Sequence, residues 1–254
     1  SKAYLLGEME EDRLWLRAPE FWADNGVELR LGQAVTDLDP VGKTVTVDGA
    51  PLEYDHLALT TGSTPRRLPA AIGGELAGVY TVRTLADVDA MRGEFQPGRK
   101  AIIVGGGYIG LEAAAVASKL GLDVTVLEMA PRILQRVAAP ETTDYVRRLH
   151  QSHGVKVLEE TGLDRLIGDD RVEGALLKDG RTLPADFVIV GVGITPNTHL
   201  AEAAGLVLDN GIATDETGRT SDPSIWSAGD CASFPWKGGR IRLESVGNAI
   251  DQAE

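Results

Sequence analysis

The chain contains a single cysteine, Cys231, among its 254 residues. One thiol excludes a disulfide framework or a dithiol redox pair within these residues, and it favours a reducing, cytoplasmic setting. The most apolar stretch, residues 101–117, is broken by three consecutive glycines and by Glu112, so it does not reach the ~18 residues of a membrane span. No signal peptide is recognisable, although a chain that opens on Ser1 carries no information about an earlier targeting segment. We therefore predict no membrane partner.

Basic residues are outnumbered, with 25 Lys and Arg against 38 Asp and Glu, and the formal net charge is -13. Such an acidic chain argues against nucleic acid as a partner. Of the four histidines, only His150 and His153 lie close enough to share a helix face. Because no cysteine or carboxylate cluster accompanies them, we predict a solvated helix surface there and no metal site.

An internal repeat is the most informative feature that the chain does contain. Residues 48–65, DGAPLEYDHLALTTGSTP, are echoed 131 residues later by residues 179–196, DGRTLPADFVIVGVGITP. The second copy includes a glycine-rich turn at residues 105–110, and projecting that turn back by the same offset places its counterpart before residue 1. The repeat therefore predicts two related nucleotide-binding domains, the first of which lacks its first β-α-β unit.

The glycine-rich turn has the pattern G-x-G-x-x-G, between an aliphatic strand and an alanine-rich helix. Gly105 suits a tight turn, Gly107 allows a pyrophosphate to approach the backbone, and Gly110 allows close packing of helix and strand. The start of the helix offers free N–H groups and a positive dipole end to phosphates. We predict that the turn binds NAD through residues Gly105, Gly107, Tyr108 and Gly110.

An acidic residue, Glu128, follows the next predicted strand, 18 residues beyond Gly110. Such a carboxylate accepts hydrogen bonds from the 2′-hydroxyl of a ribose and repels a 2′-phosphate, so it favours NADH over NADPH. Arg132 and Arg136 lie close behind Glu128 and are of the type that binds a phosphate, which leaves NADPH open. The alternative to a nucleotide site is a glycine turn that serves only helix-strand packing, with Glu128 as an ordinary surface residue.

The hydrophobic pattern predicts an α/β fold. Around the turn, a strand, a helix at 111–120 and a strand at 124–128 form a β-α-β unit with a right-handed parallel crossover. Further elements are predicted as helices at 20–25, 84–95 and 141–153, strands at 27–31, 44–48, 53–60, 155–158 and 187–190, and short antiparallel strands within 163–183.

The repeat and these elements predict two Rossmann-like three-layer dinucleotide-binding domains, with the second, NAD-binding domain inserted in the first. The run from about residue 215 has no counterpart in the second copy, so we assign it to the first domain. The predicted boundaries are 1–97 for the first part of the first domain, 98–214 for the NAD-binding domain and 215–254 for the second part of the first domain.

A second candidate site lies in the sequence WSAGD at residues 226–230. Asp230 follows an apolar strand, where its carboxylate is able to bond a polyol hydroxyl, and Gly229 allows a ligand to come close. The alternative is an aspartate that serves only the turn.

Ordered motifs along nearly the whole chain now resemble one family: SKAYLLGE, TTGSTPRRLP, GGGYIGLE, GVGITPN, TSDPSIWSAGDCA and RLESVGNAIDQA. The chain is identified as a member of the FAD-dependent NADH reductases that supply electrons to ferredoxins or rubredoxins of oxygenase systems, within the pyridine nucleotide-disulfide oxidoreductase superfamily. The resemblance implies FAD and NAD as cofactors, with FAD bound by the first domain, and a ferredoxin or rubredoxin as electron acceptor. It also implies hydride transfer from NADH to FAD, followed by release of single electrons.

The resemblance implies roles for particular residues. Lys2 would lie near the isoalloxazine, Asp230 at the ribityl chain and Val246 at the pyrimidine edge through its backbone, while Val35 and Arg83 complete the FAD contacts. For the nucleotide, it implies that Ile109 and Glu112 face the nicotinamide, that Glu112 bonds the carboxamide, and that Gly193 passes close to the nicotinamide ribose. The structural alternatives are a frayed terminus for Lys2, surface positions for Arg83 and Glu112, and ordinary core for Val35 and Val246.

Two other functions stay open at this stage. An NADH oxidase or disulfide reductase of the same superfamily would need a cysteine near the flavin, which we would expect in a segment before residue 1. Cys231 itself is predicted to be a small buried residue beside the flavin site and not a catalytic thiol. A non-catalytic NADH-binding interaction protein is the second alternative, with NADH acting as a conformational signal.

Overall fold

The computed structural model describes residues 2–254. Its α-helices are, in chain order, α1 Lys2–Leu5, α2 Pro19–Asp24, α3 Leu85–Arg92, α4 Tyr108–Lys119, α5 Pro140–Ser152, α6 His199–Ala203 and α7 Val246–Ala253. Its β-strands are β1 Val35–Asp39, β2 Thr44–Val47, β3 Ala50–Glu53, β4 Leu57–Leu59, β5 Ser63–Pro65, β6 Val79–Thr81, β7 Lys100–Val104, β8 Asp123–Leu127, β9 Lys156–Leu158, β10 Leu163–Ile167, β11 Gly174–Leu177, β12 Thr182–Pro184, β13 Phe187–Val190, β14 Ile194–Pro196, β15 Ile212–Ala213, β16 Ile225–Ser227, β17 Ala232–Trp236 and β18 Gly239–Ile241. Single 3-10 turns lie at Glu11–Leu14, Ala70–Ile72 and Gly229–Cys231. In residues 2–254 no helix is long and apolar enough to span a membrane.

The chain forms two compact units. Unit 1 comprises the residues up to Leu16 and Pro65–Gly193, and unit 2 comprises Arg17–Thr64 and Ile194–Glu254. These units do not follow the predicted domain boundaries at 97/98 and 214/215. The reason is strand pairing and packing: β6 pairs with β13 inside unit 1, and α6 packs against β1 inside unit 2. The boundaries of the functional domains therefore stay a prediction.

A five-stranded parallel sheet in the order β6-β13-β7-β8-β9 forms the middle of unit 1. The unit β7-α4-β8 confirms the predicted β-α-β arrangement. Strand β7 has aliphatic residues at every position from Ala101 to Val104, as expected for a strand that is covered on both faces. Val104 lies opposite Leu127 on one side and Val190 on the other, so the strand ends at the glycine turn lie side by side.

Alternate residues of these strands enter two different cores, because successive side chains of a strand point to opposite faces. On one face, Ile103 and Phe187 pack in one cluster with Ala114 and Ala117 of α4. On the other face, Ile102 packs in a cluster with residues of the antiparallel sheet β10-β11-β12. Unit 1 therefore has the three layers that the sequence predicted.

Unit 2 contains the antiparallel sheet β1-β2-β3 and the parallel pairs β4-β16 and β15-β17. Its core includes Leu59, Ile225 and Cys231. The predicted strand at 27–31 is wrong, because this segment forms no strand and the alternating apolar residues Val27 and Leu29 are exposed. An apolar alternation becomes a strand only where a neighbouring strand pairs with it.

Candidate functional site

The glycine-rich turn of unit 1 has two positions at which only glycine fits. Gly105 has a φ of +110°, and a Cβ atom there would overlap the carbonyl oxygen of Gly191. A Cβ atom on Gly110 would overlap the carbonyl oxygen of Gly105. The turn is tied to the next strand by the amide of Gly105, which donates to the carbonyl of Leu127 at 2.8 Å. Packing within the protein therefore explains both glycines.

Gly107 is different, because nothing lies within 4 Å of the position that its Cβ would occupy. It is the N-cap of α4, with a φ of -81° that any residue adopts. The space before it is open, and the first N–H groups of a helix have no acceptor within the helix. Tyr108 and Ile109 follow with 60% and 43% of their surface exposed, which is high for the start of a helix whose opposite face is core. The residues present thus fit a pyrophosphate group at this turn.

Glu128 lies beside the turn with its carboxylate fixed by two backbone groups. Its Oε2 accepts from the amide of Gly106 at 2.8 Å, and its Oε1 accepts from the amide of Ala130 at 2.7 Å. Each carboxylate oxygen has a further lone pair, so both are able to accept hydrogen bonds from ribose hydroxyls. The sequence reasoning missed Gly106, where a Cβ would lie 2.6 Å from Ile133 Cγ2. The middle glycine of GGG was the available signal.

Arg132, which the sequence allowed as a possible ligand of a phosphate group, makes hydrogen bonds within the protein. Its guanidinium donates to the carbonyl oxygens of Ala138 at 2.8 Å and Gln135 at 3.2 Å, and to the hydroxyl of Thr143 at 2.7 Å. Arg136 is exposed. Arg132, the arginine nearer to Glu128 along the chain, therefore points into its own loop.

The helix α1 brings Lys2 to Glu112 of α4 within unit 1. The Nζ of Lys2 lies 2.7 Å from Oε1 of Glu112, and about half of each side chain is exposed. The neighbouring Tyr4 is buried and donates from its hydroxyl to Asp89 at 2.9 Å, and the guanidinium of Arg92 lies 4.7 Å from its ring centre. These contacts fix α1, so the described structure does not support a frayed terminus at Lys2.

In unit 2, Asp230 lies in a 3-10 turn after β16. Its Oδ2 accepts a hydrogen bond from the hydroxyl of Ser63 at 2.8 Å, and Ser63 is buried. Gly229, with a φ of +80°, donates its amide to the side chain of Gln252 at 2.8 Å. The sequence reasoning missed Ser63 as a partner, because 167 residues separate it from Asp230.

The other residues implied for FAD are distributed over both units. Val35 begins β1 and Val246 begins α7 in unit 2, and both are exposed, at 38% and 77%. The alternative of ordinary core is therefore wrong for these two valines. Arg83 lies in unit 1 just before α3 and is exposed, with its amide donating to Asp87 at 2.9 Å. Gly193, also in unit 1, has a φ of +104° and nothing near its Cβ position.

Cys231 is fully buried, as predicted, and its thiol lies 3.5 Å from the carbonyl oxygen of Leu59. Across the described part of the chain, no group of three or more His, Cys, Asp or Glu side chains is arranged to hold a metal ion.

Comparison with known proteins adds three findings. A profile of the family described as pyridine nucleotide-disulphide oxidoreductase matches residues 5–253. The chain is 45% identical to a 5,5'-dehydrodivanillate O-demethylase ferredoxin reductase subunit of Sphingobium sp. over 259 residues, which covers 100% of this chain and 63% of that protein. It is 41% identical to putidaredoxin reductase CamA of Pseudomonas putida over 265 residues, which covers 100% of this chain and 62% of that protein.

A solved structure of the covalent putidaredoxin reductase-putidaredoxin complex matches with a TM-score of 0.94 and 40% identity, over 99% of this chain and 62% of that one. The chain thus spans less than two thirds of the length of these relatives. The matches confirm the predicted fold class of two Rossmann-like dinucleotide-binding domains.

Proposed function

Because this chain belongs to the pyridine nucleotide-disulphide oxidoreductase family, we propose that it passes a hydride from NADH to FAD and then single electrons to a ferredoxin or rubredoxin that serves an oxygenase. The observation that carries the proposal is the Glu128 carboxylate, held by two backbone amides beside the glycine turn. This arrangement suits a dinucleotide with a free 2′-hydroxyl. The ferredoxin reductase names of the relatives support the choice of electron acceptor.

The nucleotide end of the proposal uses residues of unit 1. The backbone of Gly105, Gly107 and Gly110, with Tyr108 between them, leaves room for the pyrophosphate at the start of α4. Glu128 accepts from the ribose hydroxyls, Ile109 offers exposed surface to the nicotinamide, and the open space beside Gly193 suits the nicotinamide ribose.

Lys2 and Glu112 form the second element. In the proposal Glu112 accepts a hydrogen bond from the nicotinamide carboxamide, and the ammonium of Lys2, 2.7 Å away, orients the carboxylate. The protein thus contributes proximity and orientation, and the reaction requires no side-chain acid or nucleophile. We assign no proton transfer to a side chain.

For FAD, the proposal assigns Asp230 to a polyol hydroxyl, with Ser63 holding one of its carboxylate oxygens. The exposed Val35 and Val246 offer apolar and backbone contacts, and Lys2 and Arg83 offer positive charge. FAD, when bound, is able to accept two electrons at once and release them one at a time.

The alternatives differ in what they ask of the chain. A disulfide reductase acting through residues of this chain would need an accessible thiol, but its one cysteine is buried against Leu59. An NADH oxidase would share the nucleotide site and differ in its acceptor, oxygen. A non-catalytic NADH-binding protein would bind the nucleotide without passing electrons on.

The test is NADH-dependent reduction of a purified ferredoxin or rubredoxin by the protein supplied with FAD, followed through the absorbance of the carrier. We expect the carrier to be reduced in proportion to the NADH consumed, with little oxygen uptake in its absence. Rapid oxygen uptake without any carrier reduction would favour the oxidase, and NADH binding without turnover would favour the interaction protein.

The acidic charge of the chain supports the proposal that nucleic acid is not a partner. The cytoplasmic location predicted from the single cysteine stays a prediction, and fractionation of cells that produce the protein would test it.

A further inference from the structure

The loop between β8 and α5, residues 128–139, is attached directly to the glycine turn. Leu134 adopts a φ of +52° and donates its amide to the carbonyl oxygen of Gly106 at 2.9 Å. The amide of the same glycine donates to Glu128 at 2.8 Å. Both polar groups of Gly106 are thus used by this loop, and the position of the loop determines where the Glu128 carboxylate lies.

A fully buried hydroxyl on α5 holds this loop from one side. Thr143 is 0% exposed, and its Oγ donates to the carbonyl oxygen of Ile133 at 3.1 Å while accepting from Nη1 of Arg132 at 2.7 Å. The guanidinium also donates to Ala138 and Gln135, so two of its N–H groups bond to carbonyl oxygens of the loop and a third bonds to Thr143.

A carboxylate holds the loop from the other side. Oε1 of Glu159 accepts from the amide of Ile133 at 2.8 Å. Glu159 is itself paired with Arg147, with 2.8 Å between Nε and Oε2. Ile133 therefore has both its amide and its carbonyl fixed by side chains outside the loop, which leaves Arg132 little freedom to turn outward.

This arrangement bears on the choice between NADH and NADPH. An arginine near the acidic residue at the end of the second strand is the kind of group that accommodates a 2′-phosphate. Arg132 follows Glu128 by four residues, yet its guanidinium is bonded inward. A phosphate approaching Glu128 would then meet a carboxylate without the charge of Arg132 to offset it.

We propose that Thr143 is a positioning residue that determines nucleotide specificity, because it holds Arg132 inside the loop and so withholds a cation from the ribose edge beside Glu128. The inference rests on the proposed function, in which Glu128 marks that edge. It predicts that removing the Thr143 hydroxyl releases Arg132 and improves binding of NADPH relative to NADH.

The test compares dissociation constants of NADH and NADPH for the full chain, measured from nucleotide fluorescence, a readout that does not require turnover. For Thr143→Val we expect the ratio of the NADPH constant to the NADH constant to fall by about fivefold or more, the scale of one net hydrogen bond. Thr143→Ser keeps a hydroxyl and should retain the wild-type ratio. In Thr143→Val combined with Arg132→Gln the gain should disappear.

A matched control is Ser118→Ala, which removes a hydroxyl bonded to a backbone carbonyl of the same unit, that of His153 at 2.6 Å. It should leave the ratio unchanged. Thermal unfolding would show whether the Thr143→Val protein folds. If it does not fold, the ratio of the two dissociation constants is measured for Arg132→Gln instead. An unchanged ratio for Arg132→Gln supports a withheld cation, whereas a ratio that rises by about fivefold or more would mean that Arg132 already reaches NADPH.

A folded Thr143→Val protein with the wild-type ratio would overturn the inference and leave the proposed function intact. If the wild-type protein bound neither nucleotide, the proposed function would fail and this inference with it. The two failures are therefore distinguishable.

Discussion

Unit 1 and unit 2 are built from the two copies of one repeat, and the same elements recur in the same order. The antiparallel strands β1-β2-β3 of unit 2 correspond to β10-β11-β12 of unit 1, and both hairpins turn at an Asp-Gly pair, residues 48–49 and 179–180. The strand that follows is β4 in one unit and β13 in the other, and each leads to a glycine with positive φ, Gly62 or Gly193.

The glycine turn of unit 1 and the Asp230 site of unit 2 differ in how far apart along the chain their parts lie. In unit 1 the strand, the turn, the helix and Glu128 all fall between residues 100 and 128. In unit 2 Asp230 accepts a hydrogen bond from Ser63, which lies 167 residues earlier in the chain. A site whose parts are contiguous is readable from sequence, because local geometry alone brings them together. A site assembled from distant segments depends on the whole fold.

The largest effect is expected from Gly105→Ala in unit 1. The added methyl group would overlap the carbonyl of Gly191, and the φ of +110° is unfavourable for alanine. We expect a loss of about 3 kcal/mol in the free energy of unfolding and loss of measurable NADH binding. Denaturant titration and nucleotide fluorescence would measure the two effects. Wild-type stability in this variant would contradict the close approach of Gly105 to Gly191.

Acid should weaken unit 1 through the buried Glu94. Burial alone would raise the pKa of Glu94, but the hydrogen bonds from Arg171 and Tyr80 and the charge of Arg99 outweigh it and lower the pKa below its ordinary value of 4.5. A carboxyl whose pKa is lower when folded stabilises the protein above its unfolded pKa, and that stabilisation is lost as the pH falls through the folded pKa.

The variant for this prediction is Glu94→Gln, which we expect to cost about 3 kcal/mol at pH 7, because it leaves two arginines without their carboxylate. Denaturant titrations between neutral pH and roughly pH 3 would compare it with the wild type. The wild type should lose stability more steeply with acid. Parallel curves for the two proteins would show that Glu94 does not carry the acid sensitivity.

Gly107→Ala separates the ligand site from the packing of the turn. No atom lies within 4 Å of the added Cβ, so the free energy of unfolding should change by less than about 1 kcal/mol. The same methyl group would occupy the space in front of the helix start, and we expect NADH affinity to fall by roughly tenfold or more. Unchanged NADH affinity in this variant would contradict pyrophosphate binding at this turn.

The smallest effect is expected in unit 2, from Ser63→Ala. Loss of the hydrogen bond to Asp230 should weaken FAD binding by roughly fivefold. Affinity of the protein for NADH should stay at the wild-type value, because the nucleotide residues lie in unit 1. Flavin fluorescence during titration of the apoprotein would measure the first effect. An equal loss for both ligands would argue that Ser63 acts through general stability.

The local parts of the molecule were predictable from the sequence. The β-α-β unit, the glycine turn and the position of Glu128 follow from residues 100–128, and the antiparallel strands within residues 163–183 follow from their turns. Strand β1 was not predicted, and the predicted strand at 53–60 is divided between β3 and β4. Contacts between residues far apart in the sequence were not predictable. Neither the engagement of Arg132 by Thr143 nor the pairing of Ser63 with Asp230 leaves a periodic signal, and the apolar alternation at 27–31 predicted a strand for which the described structure shows no pairing.

The most direct test of the central claim is an anaerobic titration of the FAD-loaded protein with NADH, followed through flavin absorbance. The account predicts that the flavin absorbance bleaches as NADH is added and returns when an oxidised ferredoxin is supplied. NADH binding without any bleaching would contradict it and identify the chain as a nucleotide-binding protein that does not transfer electrons.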